Sequence, residues 1–368
     1  MKRTYGFIPW ICGAAAVILG FMGLCTLLDK RAESLDIIVG TYGEKLYTYS
    51  FDTETFEFTR LSDTEARNAS YALSDGKGNI YAVSETGSGS GVYSFNADKE
   101  LQKTAEKRQT GADPCFVLIH RGMMMTADYS GGSVSVFPIN PDGSIGDICR
   151  QLKFSGSGPV ESRQESSHIH QLRIMPGNGE WILASDLGAD RIRLLNIQED
   201  GMLSHFSDIE CPPGSGPRHM EFTRDGSMLY CLGEISGEVL VYEIEYGQDA
   251  PSFSLVQRIQ ADEVNAAGSA DIHIHPEGTW LYTSHRLDND GISIFRIRED
   301  GTLEKTGYVR TARHPRNFMI TPDGKALLVA CKDDKLIQTF RISDDGSLTP
   351  TPSVVMFDSD QPSSVTEL

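Results

Sequence analysis

Basic residues are scarce in this chain. Lys and Arg number 33 against 51 Asp and Glu, a net charge of −18 over 368 residues. Such a chain repels phosphate backbones and anionic headgroups, which excludes nonspecific binding to DNA, RNA or acidic lipid but leaves room for a local basic pocket. The seven cysteines contain no Cys-x-x-Cys pair, so neither a thiolate zinc site nor a thioredoxin-like site is indicated. Five of them, Cys115, Cys149, Cys211, Cys231 and Cys331, are scattered beyond the N-terminal segment. An oxidising compartment would build at most two disulfides from them. The Gly-rich runs at 87–91, 156–159 and 214–217 open no helix, which argues against a nucleotide phosphate cradle. No Gly-x-Ser-x-Gly elbow stands between a strand and a helix. Long apolar runs are confined to one place.

That place is the N-terminus. Lys2 and Arg3 precede an uncharged stretch over 4–28, of which 7–28 would form a helix about 33 Å long, enough to span a bilayer. The charge asymmetry puts the bulk of the chain outside the cytoplasm. Residues 1–33 are therefore expected to be a membrane anchor, with a cleaved signal peptide as the alternative, although no Ala-x-Ala cleavage site is present.

The rest of the chain repeats. An apolar-alternating strand, a Pro-Asp-Gly-like turn, a strand of Leu-Tyr-x-x type, a polar loop and a third strand recur at 71–98, 116–146, 171–204, 220–245, 272–305 and 318–350. The turn glycines Gly76, Gly122, Gly179, Gly226, Gly278 and Gly324 are spaced by 46 to 57 residues, near the blade length of β-propellers. Two fragments remain, 37–61 and the strand 352–357. Joined, they complete a seventh blade and remove the open sheet edges. The fold expected is all-β, a single seven-bladed propeller over 34–358, preceded by a transmembrane or signal helix and followed by a polar tail over 359–368. A propeller of this size is self-sufficient as a monomer.

In such a ring, equivalent positions of successive blades converge on the central axis. The start of the innermost strand offers His168, His170, Arg218, His219, Asp271, His273, Arg316 and Asn317. The loop after the second strand offers Asp186, Arg191, Glu234, His285 and Arg286. The His168/His170 and His273/His275 pairs place two imidazoles on one strand face, as metal ligands would be. However, His275 abuts Pro276 at a turn, where a solvated or turn-bonded ring is the usual outcome, so no metal is assigned. An arginine at a channel mouth is costly unless paired or presented to an anion, and its planar fork suits carboxylate or phosphate. A carboxylate at Glu234, after an apolar strand, is either buried against an arginine or held as a base.

Taken together, the motifs resemble the seven-bladed propeller lactonases, which include propeller-type 6-phosphogluconolactonases and the carboxy-cis,cis-muconate cyclases. The resemblance rests on VGTY at 39–42, HIHQ at 168–171, SDLGADRI at 185–192, GPRHMEF at 216–222 with LGE following, SHR at 284–286 and PRNF at 315–318. It implies a cofactor-free site in which His168, Arg218, Glu234 and Arg286 are catalytic. The arginines would bind an anionic substituent and polarise the lactone carbonyl, Glu234 would be the general base, and His168 a second acid/base or orienting group. His170, His219, Asp186 and Arg316 are expected to contact substrate, with a structural part for Asp186, Asp190 and Arg191 of the DLGADR run as the alternative. The function so implied is hydrolysis of a sugar-derived anionic lactone, with no nucleic-acid partner and the N-terminal helix touching membrane. A noncatalytic extracytoplasmic binding propeller and a lactonising carboxymuconate-type cyclase are the alternatives.

Overall fold

Short strands with apolar residues at alternate positions bury one face only when stacked against another sheet. In the computed structural model, which describes residues 34–97, 100–198 and 200–368, seven four-stranded antiparallel sheets solve this by packing radially in a ring. Blade 1 spans 34–65, and blades 2 to 7 span 72–107, 114–153, 169–210, 217–260, 269–310 and 315–356. The anchor or signal expected over 1–33 lies outside the described residues. Among those described, no helix is long and apolar enough to cross a membrane.

The hydrophobic core lies between blades and not within them. Phe116 and Val134 of blade 3 pack on Leu172, Ile182 and Leu195 of blade 4. Tyr230 and Val239 of blade 5 pack on Leu281 and Phe295 of blade 6. Each such side chain, fully buried, contributes about 1.5–3 kcal/mol. The tyrosine of the recurring Leu-Tyr or Ile-Tyr dipeptide has a second role. The hydroxyls of Tyr81, Tyr230 and Tyr282 each donate to a turn carbonyl of the next blade, on Gly143, Gly301 and Gly346, at 2.9, 2.8 and 2.9 Å. The six turn glycines all take positive φ, from 67° to 80°, which a Cβ would disfavour.

Ring closure differs from the expectation in one element. The strand around 352–357 belongs to the outermost strand of blade 7, Leu348–Met356. The strand that completes blade 1 is Gln361–Glu367, antiparallel to Ser34–Tyr42, inside the segment expected to be a loose tail. Its polar composition hid it. Ser363 donates to the Ser70 carbonyl at 2.8 Å, Thr366 to that of Ala72 at 2.8 Å, and the Val365 amide to Asn317 Oδ1 at 2.7 Å. These hydroxyls satisfy backbone carbonyls at the entry to the neighbouring blade 2, Ser363 buried and Thr366 half-buried. The five described cysteines are free thiols, so the disulfides an oxidising compartment would allow are not formed among them.

Candidate active site

The innermost strands share an irregularity that builds the site. In six blades the register with the second strand slips by one residue near the channel mouth. The extra residue is Ser363, Cys115, His170, Arg218 or Arg316, and in blade 6 the Ala270–Asp271 step. A β-bulge of this kind re-aims a side chain out of the sheet. Here Ser363, Cys115, His170, Arg218 and Arg316 line a cavity on the axis. A second set comes from the ends of the second strands, one residue past the strand or at its last position: Tyr42, Glu85, Tyr129, Glu234 and Arg286.

Glu234 is the centre of the charged contacts. Its Oε2 lies 2.6 Å from Arg218 Nε, although that N–H is not aligned on the oxygen, and 3.2 Å from Arg286 Nη2. Its Oε1 accepts from Arg163 Nη2 at 2.5 Å. Burial pushes the Glu234 pKa up, but Arg286, Arg218 and Arg163 overcome this and hold it at about 2. Burial, with Arg218, Arg316 and Arg163 close by, draws Arg286 down to about 9 in spite of Glu234. Arg218 donates through Nη1 to the Ala270 carbonyl, and Arg286 through Nε to that of Gly268 at 2.8 Å. Arg316 donates to the Tyr42 hydroxyl at 2.7 Å and lies over its ring, while Tyr42 donates to Glu85 at 2.6 Å. Four guanidinium groups thus face two carboxylates, Glu234 and Glu85, in a protein of net charge −18.

The structure therefore brings Arg218, Glu234, Arg286 and Arg316 together. His168 sits at the rim. Its ring stacks on Tyr129 with centroids 4.5 Å apart, and its nitrogens meet the Tyr129 carbonyl at 3.0 Å and Glu165 at 3.2 Å. Among the described residues no hydrogen bond or ion pair joins it to Glu234; Tyr129, on which it stacks, bonds Arg163, and Arg163 bonds Glu234. His170 is buried in the channel with Nδ1 unpartnered among the described residues. Burial, then Arg218 and His219, hold it well below the usual imidazole range. His219 pairs with Asp271.

Of the two roles expected for Asp186, its contacts are those of the structural one. It is fully buried and accepts from Ser167 Oγ at 2.5 Å, the His168 amide at 2.9 Å and Arg193 at 2.7 Å. Its lone pairs are taken, so it positions the His168 backbone and has none to offer a ligand. Asp190 is structural, as expected, accepting from Gln164, Gly214 and Gly216. His285 is bonded to Ser269 and Thr283, and His275 to the Gly324 carbonyl at its turn. No group of three or more His, Cys, Asp or Glu side chains among the described residues is arranged to hold a metal.

Arg163, Tyr42 and Glu85 were not anticipated from the sequence. Arg163 lies in a Gly/Ser-rich stretch that reads as an interblade loop. The loop is pinned by buried Gln164, which donates to Leu187 and Asp190 at 2.9 and 2.7 Å. No strand periodicity marks such a residue. Cys115 and Ser363 carried a usable signal, the Pro-x start shared with Arg218 and Arg316.

The chain matches the family model for the seven-bladed β-propeller lactonases over residues 36–366. It is 30% identical over 336 residues to a 6-phosphogluconolactonase of Bacillus subtilis strain 168, covering 86% of this chain and 94% of the relative. A 6-phosphogluconolactonase of Formosa agariphila is 31% identical over 326 residues, covering 83% and 92%. A crystal structure of a 6-phosphogluconolactonase candidate from Bacteroides fragilis superposes with a TM-score of 0.87 at 38% identity, covering 92% of this chain and 99% of that one.

Proposed function

The chain belongs to the seven-bladed β-propeller lactonases, and on that basis we propose that it hydrolyses a sugar-derived lactone bearing an anionic substituent. The observation that carries this reading is the gathering of Arg163, Arg218, Arg286 and Arg316 at one mouth against Glu234 and Glu85. Buried guanidinium groups in excess of their counter-charges favour an incoming anion, which can be met bidentately. The same donors stabilise the negative charge that develops on the lactone carbonyl oxygen during attack by water.

Glu234 holds three of these guanidinium groups in register. At about 2 its carboxylate is a weak proton acceptor. It gains basicity only when the substrate's anion takes over its arginines. His168 orients substrate at the rim, with Tyr129 as its support.

The reading of residues 1–33 as an anchor or export signal is part of the proposal, and it puts the propeller outside the cytoplasm. Recovery of the propeller with the cytoplasmic fraction, and its protection from external protease in cells stripped of any outer envelope, would sink that part.

The experiment is lactone opening by the full-length chain, with 6-phosphogluconolactone beside unphosphorylated gluconolactone. Arg218→Ala and Arg286→Ala serve as controls, because such lactones also open unaided. We expect each to lose about 10²–10³ in kcat/KM. The preference between the two lactones reports whether the arginines want phosphate. Rates equal to those of the controls on both compounds would favour a binding propeller, and the carboxymuconate cyclisation would then be assayed.

A further inference from the structure

Hydrolysis needs an acceptor for the proton of the attacking water, and Glu234 is engaged by three arginines. Behind them, on the channel axis, stands a second set of groups. The His219 Nδ1 lies 2.6 Å from Asp271 Oδ1. Asp271 is buried and also accepts from the Ile272 amide at 3.0 Å, from Asn317 Nδ2 at 2.5 Å and from the Phe318 amide at 3.1 Å, and it meets His273 Nε2 at 3.1 Å. A carboxylate with this many donors is ionised and accepts only, so the proton between it and His219 rests on Nδ1. The Nε2 atom then carries a lone pair, and no hydrogen bond among the described residues uses it. The ring is held at one edge by Phe116, centroids 5.8 Å apart, and at another by His170, at 5.1 Å. His219 lines the axial cavity together with His170, Arg218, Arg316, Tyr42 and Cys115. The cavity measures about 10 Å³, the size of one water.

We infer that His219 is the catalytic base of this site and Asp271 its positioning residue, acting on a water held in the axial cavity between Arg218 and Arg316. The inference rests on the lactonase reading. The step balances without a co-reactant. The water oxygen bonds to the lactone carbonyl carbon while its proton passes to Nε2 of His219, and the carbonyl π pair moves onto oxygen facing the guanidinium groups. The ring C–O bond then breaks, and the departing ring oxygen takes the proton back from Nε2. One water is consumed and one hydroxy acid is formed.

The surroundings keep the base ready. His219 is faced by Asp271, Arg218, His273 and His170. Burial, with Arg218 and His273 adding to it, draws its pKa down to about 4 although Asp271 opposes this. It is therefore neutral near pH 7. The charge on Asp271 is balanced by His273, which Asp271 and Glu221 raise to about 10 against the effect of burial.

The test uses the full-length protein and the same two lactones. His219→Gln should lower kcat by about 100-fold or more and leave KM within about threefold. Asp271→Asn should lower kcat and move the His219 proton from Nδ1 to Nε2, read by 15N imidazole NMR. The wild-type tautomer, read the same way at pH 7, tests the geometry even if either variant fails to fold. Wild-type turnover with His219→Gln within threefold, or a wild-type proton on Nε2, overturns the assignment and leaves the lactonase reading standing. Absence of wild-type turnover on both lactones overturns both.

Discussion

At the scale of the residue, the governing fact is that buried charges in this site are compensated in small clusters. Glu234 with three arginines and Asp271 with two histidines are the two main ones. Each cluster makes stability depend on pH in a definite direction. The Glu234 carboxyl is depressed from an unfolded value near 4.3 to about 2. Its contribution is therefore present above the unfolded value and lost as pH falls towards 2. Urea denaturation between pH 5 and pH 2 should show a loss that flattens in Glu234→Gln, a variant already weakened by about 3–5 kcal/mol because its arginines stay buried unpaired. His273 works the other way. Raised to about 10, it stabilises fully below about 6.5 and its contribution disappears as pH rises through 10. Denaturation at pH 6, 8 and 10 should show a decline in the wild type that His273→Gln lacks. A steeper decline in the variant would contradict the pairing with Asp271. At this scale the sequence was informative about Arg218, Glu234 and Arg286. These side chains stand at equivalent blade positions where charge is unexpected. Arg163 was not legible, because it reaches the site from an irregular loop and its carboxylate partner, Glu234, lies 71 residues away in the chain.

At the scale of the element, the strand carries two kinds of information. Alternation reports which face is buried, and it made all six repeated units recognisable. Irregularity reports which residue leaves the sheet, and in four of the six bulged blades its mark is a Pro-x step at the start of the inner strand, absent at His170 and at Ala270–Asp271. Cys115 and Ser363 occupy the same bulge as Arg218 and Arg316 but have no charge to draw attention. The tyrosine of the second strand is a simpler case. Tyr230 is fully buried and donates to Gly301 across the blade boundary. Tyr230→Phe and Tyr282→Phe should each cost about 1 kcal/mol, from the lost bond and the carbonyl left behind. The two bonds lie on different blade boundaries, so the double variant should show the sum within about 0.5 kcal/mol. Chemical denaturation midpoints at constant slope would check both statements. An interaction larger than this would mean that one blade boundary senses the next.

At the scale of the whole molecule, the ring exists because Gln361–Glu367 pairs with Ser34–Tyr42. The number of blades could be read from the repeat. The identity of the closing strand could not, because its polar residues serve buried backbone carbonyls and look like those of a solvated tail. Truncation after residue 358 should therefore do far more than trim a surface. It strips the inner strand from blade 1 and removes Val365 from the interface with blade 7. The loss is comparable to the roughly 5–15 kcal/mol that holds a typical domain together. We expect the truncated chain to lose its cooperative thermal transition. A sharp transition within a few degrees of the wild type would show that six complete blades suffice.

That closure also orders events in time. Ser363 and Gly40 touch across the closing pair but are 323 positions apart. At a synthesis rate of about 5–20 residues per second, the first strand waits roughly 16–65 s for its partner. Throughout that interval the chain presents an unzipped edge and lacks Ser363 at its mouth. The ring and the mouth that Ser363 lines are therefore complete only after every other blade has been synthesised and the two strands, 323 positions apart, have met.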